Sequence, residues 1–216
     1  MGSQLQVDNK LIEDLREDDP FRQEFVFFER EFAGVRPFEC SVKMPADISE
    51  MDMLTVIGSL EDYLKADYDV GALMGPATAM CMAHRGFMGD RESYFRVPKD
   101  KRTFRKLLQI LTRSGQWSTV VSEDGRQARI FGKVEDLGSQ HLARKNEDLQ
   151  RWCASNLPEG SQCKVTGTAH LVDVNNASLA SDMVGGLGLA LLAVAILAGL
   201  LFRRGVMVVI CLGTNR

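Results

Sequence analysis

The sequence predicts an α+β domain followed by one apolar helix long enough to cross a bilayer. Three observations point there. Residues 183–202, MVGGLGLALLAVAILAGLLF, carry no charge, and at ~1.5 Å per residue such a helix is about 30 Å long, the thickness of a bilayer's hydrocarbon core. Upstream, runs of period-2 alternation are interleaved with runs of helical period. Between two of the alternating runs lies Asp124-Gly125, a strong hairpin-turn pair.

The elements follow in order. Asp18-Asp19-Pro20 opens a helix, with an acid at the cap and Pro in the first turn. Phe21, Phe25, Phe28 and Phe32 then recur on one face, and Gly34 can end it. Phe38, Cys40, Val42 and Met44 alternate with polar residues as a half-buried strand. From Ile48 to Leu64 the pattern is helical, with Leu54, Ile57, Leu60 and Leu64 on one side, and Tyr68, Val70 and Ala72 alternate as a second strand. Pro76 to Gly115 reads as two helices joined by an irregular link, the second marked by Phe104, Leu107, Leu108 and Leu111. Trp117 to Ser122 and Gln127 to Val134 flank the turn as strands. A helix from Leu137 to about Asn156 and a strand from Cys163 to Ala169 complete the set. A helix packed on one face of a small sheet, twice over, is a ferredoxin-like α+β pattern. Asn175 to Asp182 leads as helix into the apolar run.

A buried helix of a soluble core can also be apolar all round. Against that reading, the run has no polar face, and Gly185, Gly186, Gly188 and Gly199 would each cost about 1 kcal/mol relative to Ala in a water-exposed helix. Glycine is at home in membrane helices, where small residues admit close neighbours. Gly186 with Ala190, and Ala195 with Gly199, form small-xxx-small pairs and are the candidate helix-packing residues. Asp173 and Asp182 precede the span while Arg203 and Arg204 follow it, which places the C-terminal end in the cytoplasm and the large domain outside.

Composition bounds the chemistry. The chain has 216 residues, 45% hydrophobic and 25% charged, ordinary values for a globular chain with one span. A net charge of −3 and no basic stripe give no sign of nucleic acid as a partner. Cys40, Cys81, Cys153, Cys163 and Cys211 show neither CxxC spacing nor a zinc pattern. Isolated buried thiols are expected, with a Cys153–Cys163 bridge as the alternative. His84, His141 and His170 fall on three elements with no nucleophile or metal pattern, so no catalytic residue, metal site or cofactor is expected and the chain does not read as an enzyme. Glu13, Asp14, Glu17, Asp18 and Asp19 lack EF-hand spacing and read as a solvated helix start. Arg36 near Glu39 reads as a loop anchor, and Gly185-Gly186 with Gly188 lacks the Lys and Ser or Thr of a phosphate loop. Met51, Met53, Met74, Met80, Met82 and Met88 read as core filling, with an adaptable apolar path as the alternative.

The opening MGSQLQVDNK has neither a signal nor a span, and Gln6 fails the myristoylation pattern. Residues 205–216 look like half of a further apolar segment. Both ends read as cut, so a fragment of a larger protein is expected.

Several stretches together resemble the RND superfamily of transporters, most closely its MMPL-type exporters. LQVDNKLIEDLREDDPFRQEFVFFEREFAGVRPFECSV, residues 5–42, is like the opening of their extracytoplasmic loop, where a helix ends in Gly before the first porter strand. VTGTAHLVDVNNASLASDM, residues 165–183, is like the strand ending in Thr-Gly that feeds the next span, after which come Phe202, Arg203 and Arg204. Leu212 to Asn215 sits where the family has a Pro-Asn pair, although Gly213-Thr214 replaces the Pro.

The resemblance implies one porter loop plus the following helix, from a transporter of about twelve spans in two similar halves; which half is left open. The domains on this reading are a helical lead-in (1–35), an extracytoplasmic porter-like α+β domain (36–170), a connecting helix (171–182), a transmembrane helix (183–202) and the start of a further segment (203–216). The implied function is proton-driven export of hydrophobic or lipid-like molecules across a bacterial inner membrane. Its partners would be the lipid bilayer, the remaining spans and further copies in a homo-oligomer. Proton coupling needs an ionisable group within the bilayer, and 183–202 has none, so that group is expected on other spans. The alternative function is a single-span, membrane-anchored binding or sensor module.

Overall fold

Arg36–Lys43 forms strand β1, with Phe38, Cys40 and Val42 buried and Pro37 and Lys43 exposed, the period of two that a half-covered strand requires. The computed structural model describes residues 15–202. Asp8–Leu171 forms one compact unit, and residues from Val172 onward belong to a second.

The first unit contains α1 (Pro20–Glu31), β1, α2 (Met51–Ala66), β2 (Gly71–Met74), α3 (Pro76–Phe87), α4 (Lys101–Arg113), α5 (Trp117–Val120), β3 (Gln127–Val134), α6 (Ser139–Asn156) and β4 (Gln162–Thr166); α7 (Thr168–Phe202) starts in it and runs on. The strands make one sheet in the order β2-β3-β1-β4, every neighbouring pair antiparallel. Cys40 is opposite Ile130 on one side and Val165 on the other, while Val42 is opposite Ala128 and Cys163. These residues line the buried face.

Helices α2 and α6 cover that face, with Leu54, Ile57, Leu60 and Leu64 from α2 and Leu142, Leu149 and Cys153 from α6 in one apolar cluster. Burying a Leu or Ile side chain contributes about 1.5–3 kcal/mol. The two helices meet where Tyr63 stacks on Trp152, ring centres 4.9 Å apart. The opposite face of the sheet is polar: Arg129 pairs with Glu39 at 2.6 Å, and the Gln127 amide donates to the Ser41 hydroxyl at 2.7 Å. The expected pair of β-α-β halves thus shares a single sheet.

Helix α1 begins as its sequence indicates, Asp19 accepting from the Phe21 N–H at 2.8 Å with Pro20 in the first turn. Its aromatic face is not packed inward. Phe21, Phe28 and Phe32 are exposed, and Phe28 stacks on Phe32.

Two expected strands change. Trp117–Val120 is a turn of helix that buries Trp117 and Val120, and the expected strand from Trp117 to Ser122 reduces to one bridge, Val121 to Ala128. Farther along β3, β2 pairs with Phe131 and Lys133. The second strand starts later than its alternation suggests, because Asp69 takes positive φ (63°) and interrupts the extended backbone; Ala72 (φ 48°), inside β2, falls at the register shift between Gly71 and Met74.

The thiols also differ from the expectation of isolated residues. Cys40, Cys153 and Cys163 are buried and free, but Cys40 and Cys163 are paired: their sulfurs are 3.4 Å apart, within hydrogen-bonding distance for thiols. Cys211 lies outside the described residues.

In the second unit, α7 exposes Met183, Leu187, Leu189, Leu192, Ile196 and Leu197. Among the described residues no helix is long and apolar enough to cross a membrane.

Candidate functional site

The strongest local constellation lies where strand, loop and the foot of α7 meet. Arg36 starts β1 and points inward, only 7% exposed. Its guanidinium donates to Asp136 at 3.1 Å, and its second terminal nitrogen donates to the Ala169 carbonyl at 3.3 Å. Asp136 sits in the connection from β3 to α6, and its backbone N–H donates to Glu29 of α1 at 2.7 Å. One buried cation therefore ties the start of the sheet to the β3–α6 connection and the first turn of α7, and Glu29 adds the lead-in helix.

Two glycines make this meeting possible. Gly34 has φ +99°, and a Cβ there would stand 2.4 Å from the Val134 carbonyl carbon. Gly167, at φ +93°, is the single residue between β4 and α7, and the Leu171 N–H donates to its carbonyl. A left-handed residue lets the chain turn from strand directly into helix, and glycine adopts that conformation without steric penalty. The arrangement fixes the first turn of α7 to the base of the sheet through Arg36.

Beside the joint, Tyr68, Asp69, Val134, Glu135, Leu137, Leu142 and Lys145 line a cleft of about 280 Å³, at the lower limit of ligand pockets, which hold about 300–1,000 Å³. Tyr68, Asp69 and Lys145 already have partners. Lys145 donates to the Tyr68 carbonyl at 2.9 Å and pairs with Asp69, while the Tyr68 hydroxyl donates to Asn146.

Glu61 is a second buried charge-bearing group. It faces the first turn of α3, accepting from the Ala77 N–H at 2.9 Å, the Thr78 N–H at 2.7 Å and the Thr78 hydroxyl at 2.6 Å. Burial raises its pKa and outweighs the lowering by these bonds and by Lys65. Gly75 is small because of it: a Cβ there would lie 2.4 Å from the Glu61 carboxylate.

The remaining sequence candidates disperse. His84 is buried, its Nδ1 2.7 Å from the Arg96 carbonyl and its ring edge-on to Tyr94, whereas His141 is exposed on α6. The side chain of His170 and residues Glu13 and Asp14 lie outside the described set. Asp19 caps α1 and Asp18 pairs with Arg16. Met80 is fully buried and Met51, Met53 and Met74 pack on the core, while Met82 is exposed. Arg36 does anchor a loop, but through Asp136; Glu39 pairs instead with Arg129. On α7, Gly186 and Ala190 are exposed and Ala195 and Gly199 half-buried.

Sequence reasoning misses two features. Asp136 is one acid among many until the β3–α6 connection brings it to Arg36. Likewise, no basic stripe is visible as a run, yet α4 gathers Lys101, Arg102, Arg105, Lys106 and Arg113 on its exposed side.

Residues 72–215 match the MMPL family. No curated protein matches the chain.

Proposed function

Because the chain belongs to the MMPL family, we propose that it supplies the extracytoplasmic porter module of a proton-driven, RND-type exporter of hydrophobic or lipid-like molecules, with 183–202 crossing the membrane. The carrying observation is the direct passage β4–Gly167–α7 into a helix whose apolar side chains face outward. Such a surface needs lipid or neighbouring helices around it. The units β1-α2-β2 and β3-α6-β4, separated by helices α3 to α5, with sheet order β2-β3-β1-β4, support a ferredoxin-like porter fold with a helical insertion.

In this reading the porter domain shapes the path outside the membrane. The Arg36–Asp136 pair holds the first turn of α7 at the base of the sheet. Gly186, Ala190, Ala195 and Gly199 let neighbouring helices approach α7 closely. The span lacks an ionisable residue, so proton uptake and release belong to other spans. Arg203 and Arg204 hold the C-terminal end at the cytoplasmic side of a bacterial inner membrane.

The test is topology. Expressed in bacteria, the full chain should stay in membranes through an alkaline wash, and protease added outside spheroplasts should digest the Asp8–Leu171 unit. Release by the wash, or protection of that unit until the cells are lysed, overturns the reading.

A further inference from the structure

At 3.6 residues per turn, Lys101, Arg102, Arg105, Lys106 and Arg113 of α4 fall within an arc of about 140°. Phe104, Leu107 and Leu111 lie opposite and are buried. All five cations are exposed, and the helix contains no acid. Among the described residues none of the five pairs with a carboxylate: the ion pairs of this region run instead from Arg85 to Asp90 and Glu92. Surfaces usually intersperse the two signs, and here a chain of net charge −3 concentrates one sign on one helix.

The edge of the arc is apolar. Ile110 is 46% exposed and Phe87, from α3, 45% exposed. Lys106 ties the two regions together, its Nζ 4.6 Å from the centre of the Phe87 ring. Cations bordered by exposed Ile and Phe suit a surface that is anionic at its face and apolar just beneath. An acidic polypeptide would satisfy the charges but leave Ile110 and Phe87 without a role.

We propose that the outer arc of α4 is a docking face for an anionic phospholipid bilayer, Lys101, Arg102, Arg105 and Lys106 contacting phosphates while Ile110 and Phe87 enter the headgroup layer. Arg guanidinium groups bind phosphate oxygens in pairs, and Lys supplies point charge. This face is independent of the porter assignment and lies wholly within the Asp8–Leu171 unit.

The experiment uses the full chain in phosphatidylcholine nanodiscs, titrated with vesicles of phosphatidylcholine alone or mixed with phosphatidylglycerol. If the chain does not enter discs, which bears on the span alone, it is titrated without them. Binding should favour the mixed vesicles at least about tenfold, decline with salt, and weaken about fivefold for each of Lys101→Gln, Arg102→Gln, Arg105→Gln and Lys106→Gln. Single substitutions on an exposed arc keep the fold, checked by an unchanged melting temperature. Ile110→Ser should weaken vesicle binding but leave binding of soluble polyglutamate unchanged. Equal binding to both vesicle types, or an anionic preference that survives the Gln variants, overturns the proposal. So does polyglutamate binding as tight as the mixed vesicles with Ile110→Ser altering neither, which assigns the face to an acidic polypeptide.

Discussion

Arg36 and Asp136 form an ion pair at 3.1 Å with side chains 9% and 2% exposed, one hundred positions apart in the chain. A charge buried this far is tolerable only when paired and hydrogen-bonded, and removing one partner leaves the other in a low-dielectric site. The pair specifies which loop meets the base of β1, and the Ala169 carbonyl adds the start of α7 to that choice.

Breaking it from one side should therefore be severe. Asp136→Ala or Arg36→Ala is expected to destabilise the domain by about 3–5 kcal/mol. The double variant Arg36→Met with Asp136→Leu should recover a large part of that loss. Denaturant unfolding of the full chain in detergent measures both, and a double variant as unstable as either single one contradicts the account.

Glu61 makes stability depend on pH. Its folded pKa is raised, chiefly by burial, above the ordinary 4.5. The folded state therefore holds a proton that the unfolded chain has already released. Its contribution is complete below the unfolded pKa and is lost as pH rises through the folded value, at up to about 1.4 kcal/mol per pH unit between the two. Melting curves of wild type and Glu61→Gln should thus diverge in the variant's favour as pH climbs from about 4. Parallel curves across that window would show that Glu61 titrates alike in both states.

Gly34 tests the joint through its backbone. Gly34→Ala combines positive φ with a Cβ 2.4 Å from the Val134 carbonyl carbon. Strain of this kind costs about 1–3 kcal/mol, and thermal unfolding should show it. Gly115→Ala, also at positive φ but with nothing within 4 Å of the added Cβ, should cost less.

The thiols should resist alkylation until the fold opens. Burial pushes Cys81 up to about 11, which cuts its thiolate fraction near pH 8 by about a hundredfold relative to an ordinary thiol. Cys153 is raised by its bond to Cys163 and by burial. For Cys163 the Cys153 bond lowers the pKa, but the Cys40 bond and burial raise it overall. In a Cys211→Ser background, mass spectrometry after iodoacetamide should find all four unmodified in the native protein and modified in urea. Rapid native labelling of Cys163 would contradict the buried cluster.

Close helix contact on α7 is testable through size. Gly186→Ile and Gly199→Ile should weaken co-purification with neighbouring spans and leave the melting temperature of the Asp8–Leu171 unit unchanged. Unaltered co-purification would remove these positions from the packing surface.

Much of the fold is legible in the residues because local periodicity and burial coincide. β1, β3 and α2 keep their predicted places: Phe38, Cys40 and Val42 alternate, and Leu54, Ile57, Leu60 and Leu64 recur at helical spacing. Trp117 to Val120 misleads because its apolar residues satisfy a single helical turn as well as a short strand, and sheet pairing decides between them. The site is less legible than the fold. Gly34, Arg36 and the Thr166-Gly167 boundary stand out in the sequence, while Asp136 has no local mark.

The amino-acid sequence by itself determines the order of elements outside Trp117 to Ser122, the alternation that gives the sheet one apolar face, and the uncharged run of 183–202, since each depends on neighbours within a few residues. Only the tertiary structure decides which strands adjoin, that Asp136 and the Ala169 carbonyl both find Arg36, that Cys40 meets Cys163, and that α1 leaves Phe21, Phe27 and Phe28 exposed. Those outcomes rest on contacts between distant residues, whose energies depend on the burial and geometry that the completed fold creates.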